Sequence, residues 1–73
     1  MTMDRVRRGQ TFTITSIPDA VIRAQAIRFG IAEGETVHCE EVVPAGPIII
    51  SKNKQEIALG RGLASQITVD LRR

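Results

Sequence analysis

Glycine and proline recur so closely along this chain that every element between them must be short. Breaks fall at Gly9, at Pro18-Asp19, at Gly30 and Gly34, and at Pro44-Ala45-Gly46-Pro47. Two more follow at Lys52-Asn53-Lys54 and Gly60-Arg61-Gly62. Proline fixes φ, glycine accepts positive φ, and asparagine is the side chain best able to follow it there. The chain has 73 residues, and a domain of this size buries only about 60% of the surface its unfolded chain exposes. Most apolar side chains must therefore face inward. Hydrophobic residues make up 42% of the chain, chiefly Ile, Val, Ala and Leu, with two Phe and no Trp or Tyr. Branched side chains pack well on a pleated surface, and both phenylalanines are expected in the core.

Between the breaks, the periods are those of strands with one exception. In residues 10–17, Phe12 and Ile14 alternate with Thr11, Thr13 and Thr15, the period of two of a half-buried strand. Residues 35–43 form a second strand with Val37 and Cys39 on one face, and Glu41-Val42-Val43 breaks the alternation as a bulge would. Ile48-Ile49-Ile50, residues 55–59, and residues 67–71 read as three more strands. Leu63-Ala64-Ser65 reads as a single helical turn before the last of them. The exception is residues 20–29. Asp19 is placed to cap a helix there, and Gly30 to close it with Ile31 as the apolar contact of the cap. Ala20, Ala24, Ile27 and Ile31 recur at helical spacing and predict the buried face, with Arg23 paired to Asp19 on the exposed side. Gly30, Gly34, Pro44 and Pro47 are accordingly structural positions.

Five short strands and one helix predict a mostly β, five-stranded small barrel in a single domain, residues 1–73, with 1–5 and 72–73 as frayed ends. Closing the barrel would leave no exposed sheet edge. Ten Lys plus Arg against eight Asp plus Glu give a net charge of +2. That balance, with so few aromatics, excludes nucleic acid as the partner. Arg5, Arg7, Arg8, Arg72 and Arg73 read as a solvated fringe at the two ends. One cysteine allows no internal disulfide, and no leader-like segment precedes the first strand, so the cytoplasm is the expected compartment. The longest uncharged stretch, residues 42–51, is far below the roughly 20 residues needed to cross a bilayer.

His38-Cys39-Glu40-Glu41 contains every common ligand type for a transition metal, but alternate residues of a strand face opposite ways. His38 and Glu40 would share a solvent-facing surface, with Cys39 a small core residue on the other. A structural site wants about four converging ligands. His38 and Glu40 are therefore weak surface candidates for a divalent transition metal, and no cofactor is required. The same opposition separates Cys39 from His38 as a nucleophile and base. Gly30 to Gly34 lacks the lysine and the strand of a phosphate loop. The chain is therefore read as no enzyme but a surface for another protein. Its rigid exposed turns, residues 28–35 and the proline turn, offer Arg23, Arg28, Glu33 and Gly46 as contacts.

The order of these features resembles the FeoA family over nearly the whole chain. The resemblance lies first in Arg23-Ala24-Gln25-Ala26-Ile27-Arg28-Phe29-Gly30-Ile31-Ala32-Glu33-Gly34, a helix running into a hydrophobic-Gly-hydrophobic step with a second glycine soon after. Val43-Pro44-Ala45-Gly46-Pro47-Ile48 is similar to the family's Pro-x-Gly-(x)-Pro turn, one residue short. Ile57-Ala58-Leu59, Leu63-Ala64 and Ile67-Thr68-Val69 follow as its closing strand, turn and strand. Ala26 stands where the family usually has leucine, Glu33 where proline is common, and Gly60 where a basic residue is usual. The resemblance implies an SH3-like barrel that binds the cytosolic part of a FeoB-type ferrous iron transporter, held peripherally at the inner face of the membrane by that partner. The same barrel closes DtxR-type metal-dependent repressors, which implies the alternative of a stand-alone metal-responsive regulator or adaptor.

Overall fold

A computed structural model describes residues 1–72; Arg73 lies outside the described residues. Five strands follow one another as β1 (Thr11–Ser16), β2 (Thr36–Val42), β3 (Ile48–Lys52), β4 (Gln55–Leu59) and β5 (Thr68–Arg72). The helix α1 (Ala20–Arg28) joins β1 to β2, and the single turn α2 (Arg61–Ala64) joins β4 to β5. All neighbours are antiparallel, in the order β4-β3-β2-β1-β5. The sheet coils around one core, in which Phe12 and Ile14 of β1 meet Val37 and Cys39 of β2, Ile48 and Ile50 of β3 and Val69 of β5. Strand alternation thus places the expected residues inward. The ladder between β2 and β3 shifts register between Cys39 and Glu41, so the bulge falls slightly earlier than residues 41–43.

The closed edge expected of a barrel is present on one side only. Both β4 and β5 end the sheet, and they do not pair with each other. The outer edge of β5 is covered by the N-terminal segment: Met3 N donates to Ile67 O at 2.8 Å, Val69 N donates to Met1 O at 2.7 Å, and Thr2 bridges Thr68. Residues 1–5 are therefore not frayed. A 3-10 turn, Met3–Arg5, drives Met3 into the core with no exposed surface. Arg72 pairs with Thr11 at the end of β5; the fraying of Arg73 falls outside the described residues. The turn Leu63-Ala64-Ser65 begins earlier, at Arg61, and packs on Met3–Arg5. Arg61 fixes this corner, donating from Nη2 to Val43 O at 3.1 Å and from Nη1 to Asp4 O at 3.4 Å.

Both ends of α1 form as their residues dictate. The Asp19 carboxylate accepts from Val21 N at 2.9 Å and Ile22 N at 3.1 Å, two of the donors a helix start leaves free. At the other end Gly30 N donates to Ile27 O and Ile31 N to Ala26 O, both at 2.9 Å, with Gly30 at φ +80°. That is a Schellman cap. The buried face of α1 is another matter. Ala20, Ala24 and Ile27 face solvent, and the helix meets the core through Ala26 and the half-buried Ile22. Ile31 is buried as expected, but it lies beyond a left-handed residue, where the cap and not the helical period directs it. Without Ile31, the stripe Ala20-Ala24-Ile27 has no anchor. Ile22 and Ala26, also four apart, take its place, with Ala26 in the core and Ile22 packed against it.

Candidate partner-binding surface

Two of the four contacts expected on the helix and turns are occupied within the chain. Arg23 does not pair with Asp19, whose carboxylate is taken by the helix amides. Its Nη1 donates instead to Ile17 O at 3.1 Å, while Ile17 N donates to Glu33 Oε2 at 2.8 Å. Ile17 is wholly buried, so Arg23 and Glu33 satisfy the backbone of a core residue from opposite sides. They hold the β1-to-α1 connection to the loop after the helix. Gly46 is also internal in its role. A Cβ there would lie 2.8 Å from Val43 Cγ1, and Gly46 N donates to Val43 O at 2.8 Å to close the turn.

Arg28 differs from them. It is exposed, and among the described residues no ion pair or side-chain hydrogen bond holds it. The helix and its cap also carry large apolar residues that stay exposed: Val21 at 67% exposure, Ile27 at 58% and the cap residue Phe29 at 50%. The second phenylalanine is thus not in the core. Exposed apolar side chains mark interaction surfaces where they form a contiguous patch. Gly30 explains Phe29: the chain reverses immediately after it, so its ring is carried past the end of the helix face that meets the sheet. Of these three, only Ile27 belongs to the apolar stripe read in the sequence; Val21 and Phe29 lie outside it.

The far end of this surface is pinned by charge. Lys52 Nζ, at the end of β3, lies 2.6 Å from Glu35 Oε2 and donates to Gly30 O at 2.8 Å. An ammonium at a helix C-terminus also meets the negative end of its dipole. This clip joins the β3–β4 turn to the cap of α1, and neither Lys52 nor Glu35 stood out in the sequence.

The tempting ligand cluster does not converge. His38 is half-buried, not free in solvent, and its Nδ1 lies 3.0 Å from Thr11 Oγ1 on the paired strand. Cys39 is fully buried, and that burial pushes its thiol above the ordinary range, against a smaller lowering by a hydrogen bond from the backbone of Glu41. A protonated thiol in the core is a poor ligand and a poor nucleophile. Among the described residues no group of three or more His, Cys, Asp or Glu could hold a metal ion. No helix among them is long and apolar enough to cross a membrane.

Residues 1–71 match the FeoA domain. The chain belongs to the FeoA family. Its fold agrees with solved FeoA structures: an iron uptake regulatory protein, FeoA, matches at TM-score 0.90 and 27% identity over 99% of this chain and 97% of that one. The FeoA of Stenotrophomonas maltophilia complexed with zinc matches at TM-score 0.79 and 21% identity, over 96% of this chain and 89% of that one. That protein is described as an SH3 domain protein and a possible ferrous iron transport activating factor. The manganese regulator SloR matches at TM-score 0.88 and 16% identity, over 99% of this chain and 34% of its own. The FeoA barrel thus also occurs as the SH3-like C-terminal domain of DtxR-type regulators. No protein among curated sequences matches the chain.

Proposed function

We propose that this FeoA protein is a cytoplasmic accessory of ferrous iron uptake that binds the cytosolic part of a FeoB-type transporter and modulates it, with no chemistry of its own. The observation that supports this reading is the outward face of α1. Val21, Ile27 and Phe29 stay in water although the fold is too small to spare apolar side chains lightly. Covering what remains exposed of each on binding would contribute about 1–2 kcal/mol. Arg28, unpaired on the same helix, supplies a charge for orientation and speed of encounter.

The test is a calorimetric titration of the chain against the transporter's cytosolic domain, with and without guanine nucleotide. Saturable binding that weakens at least tenfold in Ile27→Ser or Phe29→Ser, and less in Arg28→Ala, is the expected result. Binding that these changes leave untouched would remove α1 from the interface, and no binding in any nucleotide state would count against the accessory role. The likeness to metalloregulator barrels supports a second reading, a stand-alone metal-responsive adaptor. It requires divalent transition metal bound at His38 and Glu40, which a His38→Ala variant would weaken.

A further inference from the structure

The two edges of the sheet are treated differently. The outer edge of β5 is covered by residues 1–3, while among the described residues no segment pairs beyond β4. Its free groups follow from the hairpin. Asn53 and Lys54 have φ of 50° and 66°, so they form the two-residue turn whose closing pair, Lys52 and Gln55, is hydrogen-bonded. Hydrogen-bonded and open pairs alternate along an antiparallel ladder. Ile57 and Leu59 therefore bond to β3, while the N–H and C=O of Glu56 and Ala58 point away from the sheet. No backbone hydrogen bond within the described residues reaches Glu56 or Ala58 from that side.

Natural sheets guard such an edge with proline, lysine, a bulge or a covering segment. From Gln55 to Leu59 there is no proline and no lysine. The β3–β4 register runs without a shift, although the β2–β3 and β1–β5 ladders both carry one. Within this strand the one charged guard is Glu56, exposed on the edge beside the half-buried Ile57. A second copy pairing through all the free groups would be centred on Ile57. That register sets Glu56 diagonally against Glu56 of the other copy, a like-charge contact that disfavours self-pairing.

We propose that the outer edge of β4 accepts an extended segment of another protein as an added strand, with a basic residue beside Glu56 and an apolar one over Ile57. Backbone groups of Glu56 and Ala58 supply the ladder, Glu56 selects the charge, and Ile57 gives the apolar contact. This is strand addition, a mode in which main-chain bonds provide affinity and alternate side chains provide choice. It uses a surface other than α1 and stands whether or not α1 binds the transporter.

The probe is a short capped peptide of alternating threonine and valine with a central lysine. Its counterparts carry a central glutamate, or N-methyl groups on alternate backbone nitrogens. Backbone amide shifts and hydrogen exchange of the full chain are read by NMR. Expected are saturable shifts and new protection at Glu56 and Ala58, and binding about fivefold tighter for the lysine peptide than for the glutamate one. N-methylation should abolish it, and Glu56→Lys should reverse the charge preference. Ala58→Pro removes an outward N–H without touching a β3 bond, and should weaken binding about fivefold or more. If that variant does not fold, the reversal in Glu56→Lys decides alone. Equal binding of the N-methylated peptide, an unchanged preference in Glu56→Lys, or no binding at millimolar peptide would overturn the proposal. Protection of Glu56 and Ala58 that rises with protein concentration in the absence of peptide would overturn it in favour of a second copy.

Discussion

The helix α1 and the 3-10 turn at Met3–Arg5 invert the usual relation between length and importance. Nine residues of α1 bury one side chain completely, the small Ala26. The three residues of the turn bury Met3, one of the largest side chains in the core. The difference lies in how each is attached. The N-terminal segment is bonded backbone to backbone along β5, which leaves Met3 no choice of direction. The helix is held at its two ends, by Asp19 and by the Gly30 cap, and leans on the sheet through Ile22 and Ala26. An element fixed at its ends can turn an apolar face outward; a segment zipped to a sheet edge cannot.

The sharpest way to break this comparison is Met3→Ala. Loss of a buried methionine costs about 2–5 kcal/mol. In a chain this small that lowers the thermal midpoint by roughly 10 °C or more. A loss below that of a helix cap would show that the terminal segment is an ornament. Next comes Gly30→Ala, which forces a side chain into the left-handed region and costs about 1–2 kcal/mol in denaturant unfolding. Asp19→Ala should cost about 1 kcal/mol, because two helix amides lose their acceptor. Ile27→Ser and Phe29→Ser should each stay within about 0.5 kcal/mol of the parent. If either matched Met3→Ala, the outward face of α1 would be core after all.

The smallest effect concerns the core itself. Burial raises the Cys39 thiol above its unfolded value, so the folded state holds a proton that the unfolded state releases first. Stability from this group is fully present below the unfolded pKa, about 8.5, and is lost as pH rises through the raised folded value. Denaturant midpoints of the parent should therefore fall in alkali more steeply than those of Cys39→Ala, and the native thiol should alkylate slowly at neutral pH.

Strands, turns and caps were legible because each depends on residues next to one another in the chain. Thr-rich alternation around Phe12 and Ile14, the proline turn, Asn53 and the Asp19 and Gly30 caps all act over one to five positions. The face of α1 was not legible in the same way. Ala20-Ala24-Ile27 and Ile22-Ala26 are both helical stripes, and only the direction in which β1 and β2 hold the helix chooses between them. Arg23 and Glu33 read as free surface charges because their common partner, Ile17 backbone, is invisible to side-chain patterns. The ends were misjudged for a similar reason: pairing across more than sixty positions leaves no local mark, and here Met1 N donates to Val69 O over a separation of 68. The bare edge of β4 is the counterpart, a feature known only once the strand order is known.

Lys52 adds a mechanical consequence. Its ammonium spans the hairpin tip and, 22 positions away, the carbonyl that ends the helix, with Glu35 as the second anchor. The tie acts as a strut between two levers, the β3–β4 hairpin and α1. Bending the hairpin loads the last turn of the helix, and rotating the helix pulls on the hairpin. The outward face of α1 and the free edge of β4 are thus carried on parts that this one side chain couples.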